Sequence, residues 1–344
     1  MEQSYPMAVI ATPGKIEFQE KKLPQMHDHS VLLRVKAASI CGGDLHIFKG
    51  KHPMSPLPVA IGHELSGEVL KTGKKVTKVK EGDRVVVEPV VVCGKCFFCR
   101  TGEYNRCKDI NVQYRKGQGA FAPYFVAEEN WTHKLPQGIS FEEGALIEPL
   151  SVGVHAVKAA GIRMGHSIAV FGAGALGLMV LHLAKLSGAA ETFVVDINDF
   201  RLEKAKKLGA VHTINASQHE AVKFILAQTD QLGVDRAFEA VGLEKTLVDA
   251  MKVLKKGRTA VILGLFEDQE VRIPANILVS REIALKGSLT YCWDFQDTIK
   301  LLEMGEVNLG EIITHTLPIS KLQQAFELLM DPANEAVKVV VQMG

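Results

Sequence analysis

The sequence predicts an α/β chain in two parts: a β-rich first part, then a part in which strands and helices alternate around a parallel sheet. Three observations carry this. Residues 1–150 hold extended apolar runs cut often by Gly and Pro. From about residue 160 short β-branched runs alternate with helical patterns. The chain has 344 residues, long for one core and natural for two.

In the first part, residues 31–38 and 83–89 read as strands. In the second, 168–171, 192–196, 234–238 and 259–263 are strand candidates, and 175–187, 199–208, 221–228 and 244–254 are helix candidates between them. Gly188, Gly209 and Gly257 stand where helix C-caps are expected. Ser320 and Gln323 form a capping-box pattern opening a last helix, with Pro332 after it. The run 337–342 is too short for a domain of its own and is expected to return to the first part.

Composition narrows the function classes. Forty basic side chains stand against 39 acidic, a net charge of +1, so neither nucleic acid nor an anionic membrane is an expected partner. The first twenty residues contain no apolar run long enough for a signal peptide. The apolar stretch 167–184 approaches membrane-span length, but it contains three glycines and a histidine and fits a strand, turn and helix better. A soluble, cytoplasmic protein in a reducing compartment is expected.

Residues 93–107 carry Cys93, Cys96, Cys99 and Cys107 in the spacing C-x2-C-x2-C-x7-C. Cysteines at i and i+3 bridge each other poorly but wrap readily around a metal. Four thiolates suit a tetrahedral Zn2+ closed to substrate, hence structural. An iron–sulfur cluster is the competing reading; its bacterial run has a shorter third gap and a proline after the last cysteine, whereas Lys108 follows here.

Gly172, Gly174 and Gly177 form G-x-G-x-x-G, continued through Ala175 and Leu176, between a predicted strand and a predicted helix. The first glycine permits the turn, the second lets backbone approach a pyrophosphate, and the third lets helix and strand pack closely. The helix N-terminus offers N–H groups and the positive end of its dipole. Asp196 ends the next strand, where a carboxylate accepts from an adenosine ribose and repels a 2′-phosphate. NAD is therefore expected over NADP. Arg201 either flanks the adenine or lies on the helix surface; its charge is the one argument for NADP.

Three short segments hold candidate groups for a second metal: Cys41-Gly-Gly-Asp44-Leu-His46, Gly62-His63-Glu64, and Glu148 before Pro149. Taken one at a time they decide nothing. A lone cysteine is ordinarily a small buried hydrophobe, a lone histidine a satisfied polar group, and Glu148 a helix-terminal residue.

Together, and in this order, these segments, the cysteine lobe, the run Gly144–Gly153 and the glycine fingerprint with Asp196 resemble the zinc-dependent medium-chain dehydrogenase/reductase family over essentially the whole chain. The resemblance implies a GroES-like β-barrel catalytic domain over 1–152 and 290–344, a doubly wound Rossmann domain over 153–289, and an active site in the cleft between them. It implies a catalytic zinc at Cys41 and His63, with Glu148 where liver-type alcohol dehydrogenases carry a second cysteine. Glu64 lies beside the water of that shell or exchanges into it. Asp44 matches the acid that orients the ligand histidine.

Glu148-Pro149-Leu150 resembles the sorbitol (polyol) dehydrogenase branch. The implied reaction is hydride transfer from a secondary alcohol, a polyol or sugar-type substrate, to NAD. Gly264, Leu265 and Ser288 are expected at the nicotinamide end. His46 matches the family's relay histidine, but Gly43 stands where the relay hydroxyl is expected. L-threonine 3-dehydrogenase and vicinal-diol (butanediol-type) dehydrogenase are rival readings of the same ligands. A zinc-module protein binding nucleic acid is a non-enzymatic alternative, opposed by the near-neutral charge. The family habit is a homo-oligomer, tetramer or dimer.

Overall fold

Strand Ser30–Ser39 organises the first part of the molecule. Val31, Leu33 and Val35 are buried while Arg34 between them is exposed, the alternation of a strand with one face on a core. A computed structural model describes residues 4–331 and 333–344. This strand pairs antiparallel with Glu64–Thr72, Tyr124–Glu128 and Lys338–Gln342. Across the sheet the order is Thr132–Lys134, Arg84–Val87, Glu64–Thr72, Ser30–Ser39, Lys338–Gln342, Ile313–Pro318. A three-stranded sheet of Lys15–Lys22, Ser4–Thr12 and Val59–Ala60 completes the β-rich part. Phe121, Phe125 and Phe326 fill its core with the aliphatic residues of these strands; each such ring contributes about 1.5–3 kcal/mol through burial. The return of the last strand to the first part is as expected from its sequence.

The second part holds six parallel strands: Ser167–Phe171, Glu191–Asp196, His212–Asn215, Val234–Glu239, Leu254–Ile262 and Ala284–Gly287. In space they run third, second, first, fourth, fifth, sixth, the Rossmann order. Ser167–Phe171 is buried along its whole length, as a central parallel strand requires when both faces are covered. The strand order reverses beside it, so the loop after Phe171 opens at the switch point where such sheets bind ligands. The apolar stretch 167–184 is therefore strand, turn and helix, and no helix among the described residues is long and apolar enough to cross a membrane.

The compact units are, first, the chain to Pro149 with Cys292–Gly305 and His315–Gly344, and second, Leu150–Tyr291 with Glu306–Thr314.

Two local expectations differ from what forms. Gly257 is not a helix cap: the helix Glu244–Lys252 ends earlier, and Gly257, at φ +71°, lies within strand Leu254–Ile262 where the pairing register shifts. Ser320 and Gln323 make no capping box. The last helix, Leu322–Met330, starts after a 3-10 turn, and Gln323 instead accepts from the Ile16 N–H and donates to the Gly14 carbonyl. Long-range backbone partners win over the local cap. Pro332 lies outside the described residues.

Gly177 is required by packing, because a Cβ there would run into the Gly172 carbonyl. Gly174 has ordinary backbone angles and nothing within 4 Å of the place a Cβ would take. Gly177→Ala should therefore cost about 1–3 kcal/mol, and Gly174→Ala should stay within about 0.5 kcal/mol, both read from urea midpoints.

Candidate metal centre and dinucleotide site

Cys41 precedes the short helix Gly42–Phe48, and its sulfur accepts the Gly43 N–H at 3.4 Å. His63 follows Gly62, which sits at φ +85° against the Phe121 ring. One fully buried carboxylate joins the two segments: Asp44 accepts the Cys41 N–H at 3.0 Å and the Gly62 N–H at 3.1 Å. The donor atoms of Cys41, His63 and Glu64 then lie within 4.8 Å of one another.

A thiol, an imidazole and a carboxylate in this spacing suit zinc. The His63 Nδ1 is buried without a hydrogen-bond partner, 3.9 Å from the Asp44 carboxylate. Burial would depress the His63 imidazole, but the charge and hydrogen bond of Cys41, then Asp44 and Glu148, raise it well above its ordinary value. Burial pushes the Cys41 thiol up, opposed chiefly by His63. The pair so holds protons that a bound cation would displace.

Glu64 has a second engagement that its motif did not suggest. Lys338 Nζ donates to its two oxygens at 2.8 and 2.6 Å and to the Ile40 carbonyl at 2.8 Å, and Ser39 Oγ also donates to the carboxylate. Both charges are buried, at 0% and 3% exposure, so each is the other's main compensation. Glu148 opens the helix Ile147–Ala160; its charge acts on His63 and Lys338, but its oxygens are outside the 4.8 Å cluster. His46 sits in the last turn of the helix Gly42–Phe48. Lys338 and Ser39 were missed in the sequence. The available signal was one lysine beside the run of three valines in the closing strand.

The four lobe cysteines bring their sulfurs within 4.8 Å of one another, and all six cysteines of the chain are free. A Zn–S tetrahedron has edges of about 3.8 Å, so the cluster is of the right size. Backbone N–H groups point at sulfur: Cys93 to Cys107 at 3.3 Å, Cys96 to Cys93 at 3.4 Å, Asp109 to Cys107 at 3.4 Å. Such bonds favour thiolate; those from Cys99 and Lys108 lower Cys96 to about 6, while burial and the neighbouring thiols raise Cys99 to about 12. Cys292 donates to the Gly102 carbonyl in this lobe at 3.0 Å, as Trp293 Nε1 does at 2.7 Å.

In the second unit, Gly172 (φ +102°), Gly174, Ala175, Leu176 and Gly177 turn the chain from strand into the helix Ala175–Leu186, whose first turn no side chain caps. The open space at Gly174 leaves room for a phosphate against backbone. Asp196 supports this turn by accepting the Ala173 N–H at 2.6 Å, and it accepts Ile197 and Asn198 N–H groups at 2.8 and 3.0 Å. Arg201 Nε and Ser288 Oγ are buried with no hydrogen-bond partner, which suits groups awaiting a ligand. Gly264 packs against Gly242 and the Glu239 carboxylate, and Leu265 backs Gly242.

Residues 27–137 match the alcohol dehydrogenase GroES-like domain, and residues 175–304 match the zinc-binding dehydrogenase domain. Sorbitol dehydrogenase of Bacillus subtilis is 34% identical, over 98% of this chain and 97% of its own. D-xylulose reductase A of Aspergillus niger is 36% identical, over 95% and 93%. The crystal structure of 2R,3R-butanediol dehydrogenase from Bacillus subtilis superposes with a TM-score of 0.88 at 30% identity, covering 99% of this chain and 100% of that one.

Lys338→Met should destabilise the protein by about 3–5 kcal/mol, because it leaves the Glu64 charge buried alone. Lys338→Met combined with Glu64→Gln should recover most of that loss in urea unfolding. Under a chelator, metal counted by mass spectrometry should leave in two steps, the mixed-donor centre emptying before the four-thiolate lobe. Loss in one step, or from the lobe first, would contradict the donor assignment.

Proposed function

We propose that this chain, which belongs to the zinc-dependent medium-chain alcohol dehydrogenase family, oxidises a secondary hydroxyl of a polyol or sugar-type alcohol, with NAD as hydride acceptor. The observation that carries the reading is the gathering of Cys41, His63 and Glu64 donors within 4.8 Å in a chain that also presents a glycine fingerprint at a Rossmann switch point. The similarity to sorbitol dehydrogenase and D-xylulose reductase supports the substrate class.

Cys41 and His63 would hold the catalytic zinc, with Glu148 and Glu64 at its edge; Cys93, Cys96, Cys99 and Cys107 would hold the structural one. When bound, the catalytic zinc supplies a Lewis acid for the substrate oxygen and NAD supplies the hydride acceptor. The residues of the chain do the rest. Asp44 holds the backbone of both donor segments and stands beside the His63 ring. Lys338 and Ser39 fix the Glu64 carboxylate, so that its charge stays at the centre without moving freely into it. Gly43 offers no hydroxyl for a proton relay, which leaves His46 without the usual intermediary. In the second unit, the turn at Gly172 and Gly174 would receive the pyrophosphate, with Gly177 letting the helix pack close behind it, and Asp196 would accept from the ribose diol and repel a 2′-phosphate. Arg201, Gly264, Leu265 and Ser288 would line the rest of the dinucleotide.

A vicinal-diol dehydrogenase is the second reading, favoured by the butanediol dehydrogenase superposition. A cytoplasmic homo-oligomer, tetramer or dimer, completes the proposal; six unpaired cysteines fit a reducing compartment.

The test is NAD reduction by the zinc-replete protein across sorbitol and other polyols, sugar acids, diols and threonine. Activity on polyols with about two zinc ions per chain is the expected result. Turnover of threonine or butanediol alone would move the protein to a rival class, and turnover of no alcohol would end the dehydrogenase reading.

A further inference from the structure

Gly43 leaves a space whose walls are known. A Cβ at this position would lie 3.7 Å from Cys41 Sγ and 3.9 Å from His52 Nε2, with no other atom of the described residues inside 4 Å beyond its chain neighbours and the backbone of its own helix. The space is therefore bounded by one proposed metal donor and one imidazole nitrogen that the mechanism above does not use.

The chemistry of that nitrogen follows from its surroundings. His52 Nδ1 accepts the Met54 N–H at 3.1 Å, so in a neutral ring the proton is on Nε2. The ring is neutral at physiological pH, because burial, with the charges of Arg115, His46 and His63 near it, lowers it to about 4. No group among the described residues hydrogen-bonds to Nε2. A group so reluctant to take a second proton is a poor general base. Its Nε2–H also cannot ligate a metal, and His52 is absent from the donor clusters. What remains is an N–H donor at the edge of the space beside Cys41, on a ring held from its other side by the Met54 N–H.

We propose that His52 is a specificity-determining residue, whose Nε2–H donates a hydrogen bond to a second hydroxyl of the substrate in the space that Gly43 leaves open. This rests on the polyol reading given above. A simple secondary alcohol has one oxygen, which the metal would engage, and leaves Nε2–H unused. A polyol has a neighbouring hydroxyl able to reach it. Sites built to hydrogen-bond a substrate hydroxyl discriminate strongly against analogues lacking it.

The test compares sorbitol with propan-2-ol on zinc-loaded wild type, His52→Ala and His52→Gln, with zinc counted in each. The ratio of kcat/KM for sorbitol to that for propan-2-ol should fall about tenfold in His52→Ala, mostly through KM, as for loss of one hydrogen bond. His52→Gln, whose amide N–H2 can stand near the Nε2 position, should recover part of the ratio. An unchanged ratio overturns the proposal, as does a fall in zinc content that lowers both substrates alike. Nitrogen-15 NMR of the histidines gives a readout independent of turnover: an Nδ1–H tautomer at His52 also overturns it. If the wild type oxidises no polyol, the parent reading fails and takes this one with it. If the wild type oxidises sorbitol and the ratio holds in His52→Ala, only the role of His52 fails.

Discussion

Asp44 accepts one backbone N–H from each of two segments that approach only in the fold, Cys41 on one side and Gly62 on the other. Everything at the proposed catalytic centre depends on that bridge. The carboxylate is fully buried, and burial raises its pKa against the pull of His63 and the two N–H groups. Two backbone bonds compensate an otherwise costly site. Their effect is positional: they hold the sulfur of Cys41 and the ring of His63 at the spacing a single cation needs.

Glu64 and Lys338 form the second layer of the same design. A buried ion pair is weak evidence for stability, because the desolvation of both partners offsets much of the attraction. Here its geometric consequence matters more. A carboxylate held by an ammonium and a hydroxyl keeps its negative charge beside Cys41 and His63, yet is not free to swing. The lobe cysteines differ in kind. Backbone N–H groups point at their sulfurs, which favours thiolate, and four sulfur donors around one cation would leave no open position. On this proposal one chain holds a soft, closed metal site and a mixed-donor site whose carboxylate is already held by Lys338 and Ser39.

The second unit shows the same economy with glycine. Gly177 is demanded by the helix's approach to the turn, whereas a Cβ at Gly174 would meet no neighbouring side chain or strand, so nothing in the packing of the protein calls for glycine there. Asp196 ties the turn at Ala173 to the end of the second strand, and the proposed ribose contact would use the same carboxylate.

The sequence was legible wherever the constraint is local. The strand–glycine–helix fingerprint, the cysteine spacing, and four of the six parallel strands with the helices between them follow from short-range periodicity and turn chemistry, whereas the edge strands His212–Asn215 and Ala284–Gly287 were not read. The interplay of distant residues was not legible. Nothing local marks Lys338 as the partner of a carboxylate 274 residues away, or His52 as the neighbour of the gap at Gly43. Local rules also lost to tertiary ones, as when Gln323 gave up its cap for the backbone of residues 14 and 16. What the sequence alone determined is the set of donors and the two kinds of domain that carry them, because donor chemistry and backbone periodicity are written in residue types. What only the tertiary structure decided is which donors are free to act, because that depends on the hydrogen bonds and charges that burial brings against each one.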